Sequence, residues 1–271
     1  MTSDSTDPQG TETNNSSPTS TEKLPGTGTP VHSRTRVVEV SPEHLNRNRI
    51  LAIDEENPLS DQFNLLRTRI YQKTRPAGWN TIQITGFSAG EGKSLVAANL
   101  AVSMAKDTRQ TTLLVDLDFR KPAVRKLFGL GRDFPGLESY FLDRMPLEEI
   151  LINPGIEKLT LLPARGGILN PTEWMGSPRM EALIRELKDR YQDRYILFDT
   201  PSINVCPDPL VICDYVDALL LVARADHTTT DDVKAALDLI PKAKVLGLVL
   251  NDARGDEPSG YYYRYRYGEK S

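Results

Sequence analysis

The hydrophobic residues of this chain fall into short continuous runs separated by segments with helical periodicity. Six apolar runs predict buried strands, at residues 81–85, 112–116, 159–162, 195–199, 218–222 and 245–250. Apolar residues recur at helical spacing in residues 57–73, 94–106, 180–191 and 230–240. Continuous apolar runs are typical of parallel strands that helices cover on both faces. The pattern therefore predicts a doubly wound α/β fold with a mostly parallel sheet, which binds its ligand at the carboxyl ends of the strands.

Both ends of the chain differ in composition from this central region. Residues 1–30 are rich in Ser and Thr, and Met1 and Leu24 are their only large apolar side chains. Such a segment buries too little apolar surface to offset its chain entropy. We therefore expect a disordered N-terminal tail over residues 1–45, a catalytic domain over residues 46–256, and a tyrosine-rich tail over residues 257–271.

Composition excludes several classes of protein. The formal net charge of −4 argues against a protein that coats nucleic acid, since phosphate neutralisation needs a basic face. Cys206 and Cys213 lie in neither a metal-binding nor a redox spacing, so we interpret them as ordinary thiols. No apolar run approaches the roughly 20 residues that a membrane span needs. The N-terminus also lacks the features of a secretion signal, so a cytoplasmic protein is expected.

The residues after the first predicted strand, in the sequence GFSAGEGKSL, predict a phosphate-binding loop. Small residues let the backbone wrap around phosphate oxygens, and the following helix directs its free N–H groups at the anion. Lys93 is expected to contact the β- and γ-phosphates, and the Ser94 hydroxyl to bind Mg²⁺. The candidate nucleotide-binding residues are Ser88, Ala89, Gly90, Glu91, Gly92, Lys93, Ser94 and Leu95. Phe87 replaces the first Gly of the general motif, so a Gly-rich turn with a surface lysine is the competing interpretation.

Two further predicted strands end in aspartate. Asp116 and Asp118 lie two residues apart, on the same side of an extended chain and roughly 7 Å from each other. Asp199 follows four large apolar residues at the end of another strand. Buried carboxylates are costly unless a cation or a donor meets them, and Mg²⁺ bound to ATP is such a cation. Each aspartate alone could cap a helix or a turn, but three of them beside one phosphate loop predict a MgATP site.

These motifs resemble those of the bacterial tyrosine kinases of capsule and exopolysaccharide synthesis. The phosphate loop ends GEGKS at residues 90–94, the second motif is LLVDLDFR at residues 113–120, and the third is YILFDTP at residues 195–201. The resemblance covers most of residues 46–251. It implies a P-loop NTPase fold and an ATP-dependent tyrosine autokinase, and in this family the first loop Gly is commonly absent.

The resemblance also implies roles for individual residues. Lys93 would hold phosphates, while Ser94, Asp118 and Asp199 would bind the Mg²⁺ that accompanies ATP. Asp116 is the candidate for accepting the tyrosine proton, and an exchange of roles between Asp116 and Asp118 stays open.

The chain ends in a cluster of tyrosines, which is another mark of this family. The candidate autophosphorylation sites are Tyr261, Tyr262, Tyr263, Tyr265 and Tyr267, and Arg264, Arg266 and Lys270 accompany them. The competing interpretation is an aromatic and basic tail that binds a partner or a lipid surface.

The family also implies partners. A homo-oligomer, a cognate tyrosine phosphatase and a separate membrane protein that sets polysaccharide chain length and activates the kinase are expected, with the chain held at the inner membrane through that partner. Family rings assemble partly through an E-x-x-R-x-x-R helix, whose positions are here Asp61, Asn64 and Arg67. Since only the last residue matches, the sequence does not predict a ring through that contact.

The alternatives to a kinase are a P-loop ATPase switch or scaffold in polysaccharide assembly, and an interaction module with a decayed site.

Overall fold

A computed structural model describes residues 35–131, 133–189 and 194–253 of the chain. The strands are β1 (Arg36–Val37), β2 (Thr81–Gly86), β3 (Thr111–Asp116), β4 (Ile152–Asn153), β5 (Leu159–Leu162), β6 (Arg194–Asp199), β7 (Ala218–Arg224) and β8 (Val245–Asn251). The α-helices are α1 (Pro42–Arg47), α2 (Pro58–Ala77), α3 (Lys93–Ala105), α4 (Val124–Leu127), α5 (Leu137–Leu142), α6 (Leu147–Ile150), α7 (Pro171–Met175), α8 (Pro178–Asp189), α9 (Asp208–Cys213) and α10 (Thr230–Leu239). Short 3₁₀ turns lie at Leu51–Ile53 and Lys242–Lys244.

The strands form one sheet in the order β1-β4-β5-β3-β6-β2-β7-β8. Among the described strands, only β4 and β5 pair antiparallel, so the predicted doubly wound and mostly parallel sheet is confirmed. All six predicted strands are present. β1 and part of α1 precede residue 46, in the stretch predicted as a disordered tail, and Leu45 is buried there. Ordered structure therefore begins before the predicted domain boundary.

Helices cover both faces of the sheet with two apolar layers. Leu45, Ile70 and Leu100, from α1, α2 and α3, belong to the first layer, and Leu183 and Ala236, from α8 and α10, belong to the second. The predicted helices are present with small shifts at their ends: α2 runs four residues beyond 73, and α8 begins two residues before 180 and is described as far as 189. In the described ranges, no helix is long and apolar enough to cross a membrane.

Two of the positions that correspond to the family's ring contact form hydrogen bonds within the chain. The Ser103 hydroxyl on α3 donates to the side-chain oxygen of Asn64 at 2.9 Å, and the Arg67 guanidinium donates to the Ser103 carbonyl. These two α2 side chains thus join α2 to α3.

The strand order determines which loops meet. β6 lies between β3 and β2, and Asp199 is in register with Asp116 on one side and with Ile84 on the other. Neighbouring strands lie about 4.8 Å apart. The loop that follows β2 therefore emerges beside Asp199, and Asp116 lies one strand further along the same edge.

Candidate active site

The loop between β2 and α3 has the shape that a phosphate requires. Gly90 and Gly92 have φ of 83° and 85°, which is the left-handed region where other residues are strained. A Cβ atom on Gly92 would also lie 2.2 Å from the Asn251 side-chain nitrogen. Phe87 is fully buried under the loop, and its N–H donates to the Glu91 carboxylate at 2.8 Å. The residue that departs from the general motif is therefore an apolar anchor for the loop.

Other strand ends hold this loop from the side. The Thr228 hydroxyl donates to the Glu91 carboxylate at 2.7 Å, and the Asn251 amide donates to the Glu91 carbonyl at 2.8 Å. Glu91, predicted as a nucleotide-binding residue, is fully buried and uses its carboxylate for the loop's own hydrogen bonds. Its side chain supports the loop from within.

Lys93 lies at the start of α3 and is 9% exposed. Its Nζ donates to the Ser202 hydroxyl at 2.7 Å and, more weakly, to the Ser88 carbonyl at 3.4 Å. The Ser202 hydroxyl in turn donates to the Ser88 carbonyl at 2.5 Å. Sequence reasoning missed Ser202, although its place three residues after Asp199, in the loop that follows β6, is a usable signal.

Asp199 is fully buried, and neither carboxylate oxygen has a hydrogen-bond partner among the described residues. Burial raises the pKa of Asp199 to about 7, opposed by the nearby Ser94 hydroxyl, and the Asp118 charge raises it while Lys93 lowers it. A buried carboxylate without donors is costly unless a cation approaches it. The proximity of Asp199 to Ser94 therefore fits the predicted metal that accompanies a nucleotide.

Asp116 and Asp118 shape the loop after β3 as well as facing the site. Asp116 is fully buried and accepts the N–H groups of Asp118 at 3.1 Å and of Ala123 and Val124 at 3.0 Å each. Burial and the Asp199 charge raise the pKa of Asp116 well above its ordinary value. Asp118, which is only half-buried, accepts an N–H from Lys121 at 2.8 Å. Asp116 and Asp118 therefore accept hydrogen bonds from the loop after β3 and also lie close to Asp199.

Arg120 fastens this loop to two others. Its guanidinium donates to both carboxylate oxygens of the buried Asp208, at 2.9 and 3.3 Å, and to the Thr172 hydroxyl at 3.1 Å. The Thr172 hydroxyl also donates to Asp208. This set of contacts, the Arg120 clamp, joins the loop after β3 to α7 and α9. Arg120 therefore has a buried acidic neighbour as its partner.

The site provides oxygen ligands without forming a complete protein cage. No group of three or more His, Cys, Asp or Glu side chains in the described part of the chain is arranged to hold a metal alone. Mg²⁺ is usually bound through one or two carboxylates plus substrate phosphates and waters. The candidate ligands Ser94, Asp118 and Asp199 fit that manner of binding. The predicted tyrosine sites lie outside the described residues.

The parallel sheet, the glycine loop ahead of α3, and the acidic strand ends define a P-loop nucleotide-binding protein. Residues 82–263 match the family of CobQ/CobB/MinD/ParA nucleotide binding domains. The chain is 32% identical over 212 residues to the putative tyrosine-protein kinase CapB of Staphylococcus aureus, covering 78% of this chain and 91% of that protein. It is 30% identical over 228 residues to the tyrosine-protein kinase YwqD of Bacillus subtilis (strain 168), covering 83% and 93%.

A solved structure agrees with these relatives. The crystal structure of the chimerical protein CapA2B2 superposes with a TM-score of 0.68 at 30% identity, over 79% of this chain and 92% of that one. The chain belongs to the bacterial tyrosine-protein kinases, a family of enzymes.

Proposed function

We propose that this chain transfers the γ-phosphoryl group of ATP to tyrosines of its own C-terminal tail. The observation that supports this most strongly is Asp199, a fully buried carboxylate without hydrogen-bond donors, next to Lys93 and Ser94. The family relatives named as tyrosine kinases supply the reaction class. The five tyrosines within residues 261–267 supply acceptors on the same chain.

Phosphoryl transfer requires positioning and neutralisation of charge more than covalent chemistry. In our proposal, Lys93 and the backbone of residues 88–95 hold the phosphates, and Ser94, Asp118 and Asp199 hold Mg²⁺. When bound, Mg²⁺ would neutralise charge on the phosphate oxygens. Asp116 accepts the tyrosine proton, and Asp118 is its alternative because that side chain is the more exposed of the two.

The tail begins at the same edge of the sheet as the site. Asn251 ends β8 and donates to the Glu91 carbonyl of the phosphate loop. Tyr261 lies ten positions after Asn251, and this stretch of chain spans at most about 33–36 Å. This length reaches the chain's own site or that of a second copy, and both routes belong to the proposal.

We place this activity in the control of capsule or exopolysaccharide polymerisation and export. The proposal includes a homo-oligomer, a separate membrane protein as activator and a cognate tyrosine phosphatase. Each phosphotyrosine adds about −1.5 to −2 charges, so five would add about −7.5 to −10 to a tail with three basic side chains. Phosphorylation would then weaken the attraction between the tail and the acidic site.

Phosphotyrosine mapping tests the proposal. The purified full chain is incubated with MgATP and analysed by mass spectrometry, beside Lys93→Met and a variant in which the five tail tyrosines are Phe. Lys234→Met, at a largely exposed lysine on α10, is the matched control. We expect tail phosphotyrosine in the wild type and in the control only. ATP hydrolysis without phosphotyrosine would instead favour the alternative, an ATPase switch in polysaccharide assembly.

A further inference from the structure

Two exposed apolar side chains lie on the loops that leave the strands on either side of β3. We propose that Leu169 and Val205, here called the apolar rim, dock the aromatic segment 261–267 of the tail and select it as the acceptor. This inference rests on the proposed function and assigns the residues that would recognise the acceptor.

Both rim side chains are largely exposed, and Leu169 almost completely. Leu169 is 95% exposed and Val205 is 58% exposed. Isolated apolar side chains are normal on protein surfaces, but these two lie on loops of the same site. Covering them with another apolar group would be favourable, at about 25 cal/mol per Å² of buried surface.

The sheet order places the two rim residues on loops that neighbour the Asp118 loop. β3 lies between β5 and β6. Leu169 follows β5, Asp118 follows β3, and Val205 follows β6, so the three loops leave neighbouring strands at one edge. The rim residues therefore lie on the two loops that neighbour the acidic loop.

The Arg120 clamp holds the two rim loops together. Thr172 comes three residues after Leu169, and Asp208 comes three residues after Val205. The Thr172 hydroxyl donates to Asp208, and Arg120 donates to both side chains. Three residues of chain span at most about 10 Å, so each rim residue is tied closely to this shared contact.

The order of tyrosines in the tail fits two apolar contacts around one reacting group. In an extended segment, alternate side chains point to the same side. Tyr261, Tyr263, Tyr265 and Tyr267 would then share one side, while Tyr262 would lie on the other with Arg264 and Arg266. Side chains on one side are about 7 Å apart. When one tyrosine enters beside Asp118, its two neighbours on that side reach the apolar rim, where their rings can bury large apolar areas.

The origin of the tail supports this occupant. β8 ends at Asn251 beside the phosphate loop, at the same edge as the rim. Residues 254–271 follow, so the tyrosines can return to this edge or reach it on a second copy. The tail therefore starts where the docking surface lies.

The test replaces the rim with polar side chains of similar size. Full-length protein with both Leu169→Gln and Val205→Thr is compared with the wild type and with Leu239→Gln. Leu239 is 55% exposed and ends α10, which leads from the carboxyl end of β7 toward the start of β8, so it lies at the opposite end of the sheet. The initial rate of tail phosphorylation is measured by site, together with the Kd for MgADP and the thermal unfolding midpoint.

We expect the double variant to phosphorylate the tail roughly tenfold more slowly, with an unchanged Kd for MgADP and an unchanged unfolding midpoint. The control should stay within about twofold of the wild type. Tyr262 should be the slowest site in the wild type. Equal rates in the double variant and the wild type would overturn the docking role.

A binding measurement separates failure of this inference from failure of the proposed function. A fluorescent peptide of residues 257–271 is titrated with each full-length protein in the presence of MgADP. Weaker peptide binding by the double variant than by Leu239→Gln supports the rim even if no phosphotyrosine forms. Equal binding by all three proteins contradicts it, even if the wild type proves to be a kinase.

Discussion

At the scale of single residues, Asp199 links the stability of the nucleotide-free protein to pH. Its carboxylate is buried without donors among the described residues, and its pKa is raised to about 7. The folded protein therefore keeps a proton on Asp199 at pH values where the unfolded chain has released it. A raised acid pKa means that the stability contributed by this proton is lost as pH rises from about 4 to 7.

The first prediction follows from this loss of stability with rising pH. Asp199→Asn should increase the free energy of unfolding of the nucleotide-free protein at pH 8 by about 1–3 kcal/mol, because it removes a buried charge. The gain should shrink at pH 5, where Asp199 is protonated in the folded wild type. Urea denaturation of both proteins at the two pH values measures it. A variant less stable than the wild type at pH 8 would show that the carboxylate is already compensated.

The second prediction concerns the backbone of the phosphate loop. Gly92→Ala should weaken MgADP binding by at least tenfold, since a side chain is strained at φ 85° and its Cβ would collide with Asn251. Gly247→Ala is the control, because a Cβ there meets no atom within 4 Å. Calorimetric titration compares the two. Unchanged affinity in Gly92→Ala would mean that the loop can rearrange at no cost.

The sequence predicts the site residues that belong to local motifs. It does not predict those whose contacts join residues far apart in the chain. Lys93 and the strand-end aspartates stand out because each follows an apolar run directly. Ser202 meets Lys93 across 109 positions, and Asn251 meets Glu91 across 160. Such hydrogen bonds depend on which strands become neighbours, which a single sequence does not display.

Among the secondary-structure elements, too, those with a local sequence pattern are predicted and those that depend on tertiary contacts are not. Strands of four or more buried residues can be predicted from their continuous apolar runs. β1 and β4 have two residues each, and their pairing comes from the tertiary structure rather than from local pattern. The end of α2 at 77 also departs from the prediction, because Gly78 in the left-handed conformation ends the helix beyond the last large apolar residue.

A third prediction concerns the elements joined by the Arg120 clamp. Arg120→Met should lower the free energy of unfolding by about 2–4 kcal/mol, since it leaves the Asp208 carboxylate buried without its cation. Asp208→Asn combined with Arg120→Met should be less destabilised than Arg120→Met alone. Chemical denaturation of the single and double variants measures this coupling. Additive effects of the two changes would show that the ion pair contributes nothing to holding α7 and α9.

For the molecule as a whole, the fourth prediction is that tail phosphorylation changes assembly. The added negative charge opposes entry of the tail into an acidic site, so phosphorylated chains should separate into smaller species. Multi-angle light scattering of fully phosphorylated and fully dephosphorylated protein measures the mass. The variant with five Phe residues in the tail, treated identically, should not respond to MgATP. Equal masses in both phosphorylation states would remove the proposed release step.

The most direct test of the account is the magnesium dependence of ADP binding. Calorimetry gives the Kd with and without Mg²⁺ for the wild type, Lys93→Met and Asp199→Asn. We predict that Mg²⁺ strengthens wild-type binding by at least about tenfold, that Asp199→Asn loses this gain, and that Lys93→Met binds weakly in both conditions. Full magnesium enhancement in Asp199→Asn would contradict the account, because the buried carboxylate would then have no part in holding the nucleotide's metal.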